Sequence, residues 1–459
     1  MSRTSLVLPP LIAERLQTLA RLDLESGAVL LARPVVGGDG AIRLLARELI
    51  EVPDAAYQRR SSMSLSITSN GYVPALARAE ATGAVPIWLH THPGDGSSTK
   101  MSRHDRRVND QLTDLFRLRA NSEFYGAVVI SHAGPALTFS GLLDDGATTR
   151  PIDRLVVVSD RISVSWPDGH GHDRESELFD RNIRAFGGGV QKAIGDLRIA
   201  IVGTGGTGSA VAEQLVRLGA RRFDLYDPDT LSLSNVTRVY GSDPSQVGQN
   251  KADVVADHLQ TIAPDAVANR VPELITSEHV ARQLADADVV FGCTDDNAGR
   301  LVLSRLPTYF LVPVIDCGVV LTSDSTNRLV GIDGRVTTLH PGSACLVCRG
   351  RIDLRRAAAE RMSAEEHARL VGEGYAPALD GVEPAVVAYT TAVAAAAVAE
   401  LLERLIGYGP DPVPNEVILR LHEREISTNR AVPKAGHYCD DMAGKLGLGI
   451  TEPLLETTW

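Results

Sequence analysis

The 459-residue chain has few cysteines, no excess of positive charge and no long uninterrupted apolar run. Its five cysteines are scattered, too few and too irregular for a disulfide framework. They suit a reducing cytoplasm, and the Cys345/Cys348 pair has metal-ligand spacing. A formal charge of −11 argues against a sequence-independent grip on nucleic acid or anionic membrane. Residues Met1–Pro10 hold one Arg and a short apolar stretch, without the core or the cleavage site of a signal peptide. The most apolar segment, Ala385–Leu402, carries Tyr389, Thr390, Thr391 and Glu400 and reads as a buried helix rather than a membrane span. No repeat of solenoid period is present.

What remains is an ordinary globular composition, 44% apolar and 22% charged, long enough for two or three domains. Residues 1–150 mix short apolar strands with Gly, Pro and Ser turns and read as a first domain. Residues 151–176, around the polar stretch Trp166-Pro-Asp-Gly-His-Gly-His-Asp-Arg-Glu, read as a linker. Its His170, His172 and Asp173 have ligand spacing but no strand behind them, and read as solvated. From 177 to 459 the pattern becomes strand, Gly turn, helix, strand. Leu197–Val202, Arg222–Asp227, Ala287–Cys293 and Leu311–Asp316 are the expected strands; Ser209–Leu218 and Lys251–Thr261 are the expected helices. That alternation predicts a doubly wound, Rossmann-like, mostly parallel sheet.

The strand Leu197–Val202 runs into Gly203-Thr-Gly205-Gly206-Thr-Gly208 and a helix. Glycines permit a tight turn and close backbone approach, and the helix N-terminus offers free amides to phosphate. Asp227, 19 residues after Gly208, stands where a carboxylate can bind a ribose hydroxyl. This fingerprint alone does not separate NAD from ATP.

The following residues do. Asp227-Pro-Asp229-Thr-Leu-Ser-Leu-Ser234-Asn235-Val-Thr-Arg238 resembles the signature of the ThiF, MoeB and ubiquitin-activating superfamily. Val-Gly248-Gln-Asn-Lys251-Ala is similar to its Gly-x-x-Lys-Ala. Cys293-Thr294-Asp295, with Arg300 five residues on, is similar to its Cys-Thr-Asp-Asn-x-x-x-Arg, with Asp296 where Asn is usual. Arg181-Asn182 resembles its Arg-Gln. The resemblance runs from Glu177 to Ile426. It implies ATP- and magnesium-dependent adenylation of the C-terminal carboxylate of a ubiquitin-like protein. Arg238 and Lys251 would neutralise phosphate charge, Asp295 would partner magnesium, and Arg181 would reach the ATP of a second subunit in a homodimer. Asp229 and Asn235 would line the site or merely shape a turn.

In the first half, Trp88-Leu-His90-Thr-His92-Pro93 follows an apolar strand, and Ser102-Arg-His-Asp105 comes soon after. Imidazoles at i and i+2 of an extended segment point the same way and can share one zinc, with Asp105 as third ligand and one position open for water. This pattern is similar to the JAMM (JAB/MPN) metalloprotease motif, which implies an α+β domain, Glu25 as general base and Ser102 as oxyanion donor. The loop Gly94–Lys100 is two residues longer than that family's usual spacing, and His104 reads as a bystander. A degenerate, structural version of the same fold is the other reading.

The combined resemblance is to bacterial ubiquitin-like modification systems, often tied to antiphage defence, in which a conjugating enzyme is a further partner. Two other readings stand beside it: sulfur-carrier adenylation for thiamine or molybdopterin synthesis, and a non-catalytic nucleotide-binding scaffold. No cysteine lies between Arg349 and Tyr438, where a thioester nucleophile is usual in the family. Cys293 and Cys317 read as core residues. Cys345, Cys348 and Cys439, with His437, match a structural zinc site in part, and three packed free thiols are the alternative.

Overall fold

A computed structural model describes residues 3–167, 177–326, 328–373, 376–377, 379 and 385–459. The chain forms two compact units: residues 1–171 with 446–450, and residues 172–445 with 451–459. No helix among the described residues is long and apolar enough to cross a membrane.

Unit 1 contains β1 (Thr4–Leu8), α1 (Pro10–Ala20), β2 (Gly27–Val36), β3 (Ile42–Glu51), β4 (Tyr57–Arg60), β5 (Leu65–Ile67), α2 (Val73–Thr82), β6 (Val85–Asp95), α3 (Arg103–Ala120), β7 (Tyr125–Ala133), β8 (Ala136–Asp144), β9 (Thr149–Pro151), β10 (Arg154–Val158) and β11 (Ile162–Ser165). Nine of these strands make one sheet in the order β11-β10-β1-β3-β2-β6-β7-β8-β9, and β4 and β5 pair separately. Strand periodicity divides the core in two. Ala28, Leu30 and Ala32 of β2 pack on one face with Leu16 of α1, while Val29 and Leu31 pack on the other with Leu76 of α2 and Phe116 of α3. The same alternation in β6 sends Ile87 and Leu89 to the α1 face and Trp88 to the α3 face. His90 and His92 follow Trp88 at steps of two, on the face that carries α3.

The expected linker begins too early. Residues 151–165 include β10 and β11, and β10 pairs parallel with the first strand of the chain, Leu6 opposite Leu155. Leu155 and Val158 are buried. A polar neighbourhood hid a strand that needs its apolar side chains for the core. Residues 168–176, with the His170, His172 and Asp173 cluster, lie outside the described residues. The second domain is likewise not one uninterrupted span, because Leu446–Ile450 belongs to unit 1. There the Leu446 and Leu448 carbonyls accept from Arg47 Nε (3.0 Å) and Arg33 Nε (3.3 Å).

Unit 2 contains α4 (Asp180–Asp196), β12 (Arg198–Val202), α5 (Gly206–Arg217), β13 (Arg222–Tyr226), α6 (Lys251–Ile262), β14 (Val267–Val271), α7 (Glu278–Gln283), β15 (Val289–Gly292), α8 (Asn297–Leu303), α9 (Leu306–Tyr309), β16 (Val314–Ser323), β17 (Leu329–Leu339), α10 (Leu354–Ala359), α11 (Ala364–Gly372), α12 (Val387–Ile406), β18 (Glu416–Arg420) and β19 (Glu425–Asn429). Its sheet runs β14-β13-β12-β15-β16-β17-β18-β19. The first five strands are parallel, as expected, and three antiparallel strands extend the sheet at one edge. The Ala-rich run forms α12, which buries Val393, Ala394, Ala397, Val398 and Leu401. Gly334 of β17 leaves the space that Val393 fills; a Cβ there would lie 2.5 Å from it. The strand order reverses at β12, with β13 on one side and β15 on the other, which places a crevice beyond the carboxyl ends of β12 and β15.

Candidate functional sites

The glycine loop sits at that crevice. Gly203 has φ +87°, and a Cβ on it would lie 2.7 Å from the Cys293 carbonyl oxygen. A Cβ on Gly208 would strike the Gly203 oxygen at 1.8 Å, whereas Gly205 faces open space. The loop therefore closes on itself and on the end of β15, and the twelve-residue α5 starts at Gly206 with no side-chain cap. Such a turn leading into an uncapped helix start fits phosphate.

Asp227 pins the loop from below. Its Oδ2 accepts from the Thr204 amide (2.7 Å) and hydroxyl (3.1 Å), and its Oδ1 accepts from the Asp229 amide (3.0 Å). Burial pushes its carboxyl above the usual range, opposed by nearby Lys251. Asp229, more exposed, pairs with Lys251 Nζ at 2.7 Å. Asn235 accepts from the Ser232 amide (3.1 Å) and closes a short 3-10 turn. That turn delivers Arg238, whose guanidinium donates to the Ser234 carbonyl (3.0 Å). Arg238 Cδ would lie 3.2 Å from a Cβ on Gly206, the first residue of α5. The motif residues Asp229, Asn235, Arg238 and Lys251 thus belong to one loop system around the glycine turn.

Asp295 is exposed beyond β15. Asp296, where the family has Asn, caps α8: its carboxylate takes the Gly299 amide and the Thr294 hydroxyl. Asp and Asn serve equally as N-caps, which explains the departure. Arg300 points inward instead, to Asp316 Oδ1 (3.3 Å) and the Cys317 carbonyl (3.2 Å), while Arg335 holds Asp316 Oδ2 at 2.6 Å. Glu360 accepts from the Ala298 amide at 2.8 Å and covers the start of α8. Nothing in the sequence pattern marked Glu360 or the Asp316–Arg335 pair. Arg181 is exposed in the first turn of α4.

Among the described residues, two groups have metal-ligand geometry. Cys345, Cys348, His437 and Cys439 present ligand atoms within 4.8 Å of one another, and none of the cysteines is in a disulfide. His437 Nδ1 lies 3.3 Å from Cys439 Sγ and 3.6 Å from Cys345 Sγ; Cys348 and Cys439 sulfurs are 3.7 Å apart. The Cys348 and Lys434 amides donate to Cys345 Sγ (3.4 Å) and Cys348 Sγ (3.5 Å), as outer bonds to thiolate ligands do. Three sulfurs and one imidazole suit tetrahedral zinc.

In unit 1, His90, His92 and Asp105 also present ligand atoms within 4.8 Å of one another. His90 Nε2 lies 3.6 Å from Asp105 Oδ1, and His92 Nε2 lies 3.9 Å from Oδ2. His90 Nε2 is buried with no hydrogen-bond partner among the described residues, as a metal-ligating nitrogen would be. Burial pushes His90 down to about 4, leaving the neutral ring that ligation needs. Asp105 stays below the usual carboxylate range despite burial, because Ser102 and the two imidazoles favour its anion. Ser102 is the N-cap of α3: its Oγ accepts from the Asp105 amide (3.1 Å), and Asp105 Oδ2 takes the Ser102 amide (2.7 Å). Glu25 is 8% exposed, and burial raises its carboxyl against the pull of His92. The longer loop is built into the site. Its Ser98 carbonyl takes His92 Nδ1–H at 2.7 Å, and its Gly96 amide donates to the His132 carbonyl at 2.8 Å.

Residues 179–440 match the ThiF family. The chain belongs to the ThiF family. It is similar to the molybdopterin-synthase adenylyltransferase of Escherichia coli, 31% identical over 39% of this chain and 70% of that protein. It is also similar to ubiquitin-like modifier-activating enzyme 5 of Oryza sativa (30%; 38% of this chain) and of Arabidopsis thaliana (31%; 34% of this chain). It spans only 45% and 38% of those two proteins. The solved structure of E. coli MccB with ATP aligns at TM-score 0.44 and 17% identity, over 57% of this chain and 73% of that one, a level at which the likeness carries no argument. The family match begins after unit 1, so the adenylyltransferase domain is the part it establishes.

Proposed function

We propose that unit 2 joins ATP to the C-terminal carboxylate of a ubiquitin-like protein, releasing pyrophosphate, and that unit 1 is a zinc-dependent peptidase acting on the same class of protein. The observation that supports the first half is the lie of the Arg238 side-chain stem against Gly206, at the uncapped start of α5. Two anions must meet for the reaction, a carboxylate and the α-phosphate. The glycine-loop amides, Arg238 and Lys251 would supply the neutralising charge. Asp227 or Asp229 would bind the ribose. Asp295 would hold magnesium, whose charge offsets that of the phosphates. Arg181 would be contributed by a second copy of the chain in a homodimer. With no cysteine between Arg349 and Tyr438, and Cys345, Cys348 and Cys439 clustered with His437, the adenylate would pass to an external nucleophile, such as a conjugating partner's thiol.

In unit 1, His90, His92 and Asp105 would hold zinc, whose Lewis acidity is the chemistry it would supply. Glu25 would take the proton of the attacking water and deliver it to the leaving amine, and Ser102 would donate its hydroxyl proton to the developing oxyanion. The buried His90 Nε2 supports this over a purely structural domain. Cleavage beyond the terminal residues of a ubiquitin-like protein would expose the carboxylate that unit 2 activates. Such a pair fits a bacterial ubiquitin-like modification system, including an antiphage one.

ATP–pyrophosphate exchange with and without a ubiquitin-like protein tests the main reading. Exchange that depends on the carrier supports it. Nucleotide binding without exchange favours a scaffold. Exchange with a thiamine or molybdopterin sulfur carrier alone favours sulfur transfer, the reading that the E. coli relative's name supports.

A further inference from the structure

Five thiols are present and three are accounted for by the cluster with His437. The other two, Cys293 and Cys317, follow a pair of partnered residues. β15 ends at Gly292, opposite Asp316 of β16, so Cys317 continues β16 and Cys293 is the first residue past β15. Residues in register on adjacent strands stand about 5 Å apart, inside the roughly 4.4–6.8 Å Cα separation that a disulfide spans. Cys317 is 3% exposed, whereas Cys293 is only partly buried at the crevice. The Cys293 thiol is the neighbour that acts most strongly on Cys317, whose Sγ also lies 3.9 Å from the Ile315 carbonyl.

Cys293 occupies a sensitive place. Its carbonyl oxygen and the Thr294 amide lie 2.7 and 3.0 Å from where a Gly203 Cβ would be, and its own amide donates to the Val202 carbonyl at 2.7 Å. Asp295 follows two residues later. Any pull on Cys293 toward β16 is therefore passed both to the glycine loop and to Asp295.

We propose that Cys293 and Cys317 form a reversible disulfide that displaces the Cys293–Asp295 turn and slows adenylation. The functional half of this rests on the adenylation reading above; the chemical half does not. A peroxide is the oxidant. The Cys293 thiolate, the more accessible of the two, attacks one peroxide oxygen to give a sulfenic acid and hydroxide, which takes the thiol proton to become water. The Cys317 sulfur then attacks the Cys293 sulfur, a second water leaves and the S–S bond forms. Two thiols lose two electrons and two protons, and one peroxide becomes two waters. A thiol reductant reverses the step by exchange. The neighbouring Cys293 thiol and burial raise the Cys317 thiol, which suits it to resolve rather than to initiate.

The test uses the full chain. Trypsin cuts after Arg282 and Arg300 and after Arg305 and Arg328, so the two cysteines fall in separate peptides. Peroxide-treated protein, alkylated and digested without reductant, is expected to yield peptides 283–300 and 306–328 as a cross-linked pair that dithiothreitol separates. ATP–pyrophosphate exchange is expected to fall by roughly an order of magnitude on oxidation, to recover on reduction, and to resist peroxide in Cys317→Ala. Free alkylated thiols at both positions after oxidation overturn the proposal. So does a cross-link that leaves exchange unchanged. If reduced protein shows no exchange, the cross-link still decides whether the pair is oxidisable, and nucleotide affinity before and after oxidation replaces exchange as the readout.

Discussion

His92 Nδ1 donates to the Ser98 carbonyl at 2.7 Å. A carbonyl only accepts, so the proton is on Nδ1 and the Nε2 lone pair is left toward Asp105. The carbonyl belongs to the loop Gly94–Lys100, so that loop fixes the orientation of the ring.

Zinc content follows from that geometry. The full chain is expected to carry two zinc per protomer by elemental analysis, one in each group of ligands. His90→Ala and Asp105→Ala should each remove one. Glu25→Gln should keep both and lose cleavage of a C-terminally extended ubiquitin-like protein, because Glu25 is placed as a base and not as a ligand. Wild-type metal content in His90→Ala would sink the assignment.

Arg238→Ala should lower ATP–pyrophosphate exchange on the order of a hundredfold or more, the usual cost of removing a charge-stabilising donor. Among the described residues its guanidinium donates to a neighbouring turn carbonyl, so the melting temperature should hold. Asp295→Ala, at an exposed position, should do the same. A variant that melts early would place these residues in the scaffold instead.

Cys348→Ser or His437→Ala should release the second zinc and lower the melting temperature of unit 2. Cys345 and Cys439 are buried at 2% exposure each, and their sulfurs would lose the partner they face. Unchanged melting after metal loss would reduce the cluster to packed thiols.

Asp316→Asn should cost about 3 kcal/mol or more in urea unfolding, since it leaves Arg300 and Arg335 without the carboxylate between them. Asp316 is fully buried with a guanidinium on each oxygen. An unchanged unfolding midpoint would mean the two cations find other partners.

The glycine turn at the crevice was legible because it is local. Gly203 through Gly208, Asp227 and Arg238 lie in short runs whose spacing carries the geometry. His90 and His92 were legible for the same reason, through strand periodicity. What escaped depends on contacts distant in sequence. β10 is a strand because it pairs with β1, about 150 residues earlier, and a polar neighbourhood concealed it. The antiparallel strands β17 to β19 carry no signal that distinguishes them from parallel ones. Glu360 covers the start of α8 from 62 residues away. Ser98 acts through its backbone, which no side-chain pattern records.

The short segment Leu446–Ile450 has a genetic consequence. Unit 1 is completed by residues encoded far downstream of the rest of it. A truncation after residue 167 would drop the segment that Arg33 and Arg47 hold. A cut confined to residues 168–176 would leave that segment on the C-terminal fragment and the arginines on the N-terminal one, so the halves could complement each other as a split protein. Unit 1 is therefore not a cassette that recombination can lift out in one piece. A homologous swap must carry two separated stretches of sequence to keep the fold whole.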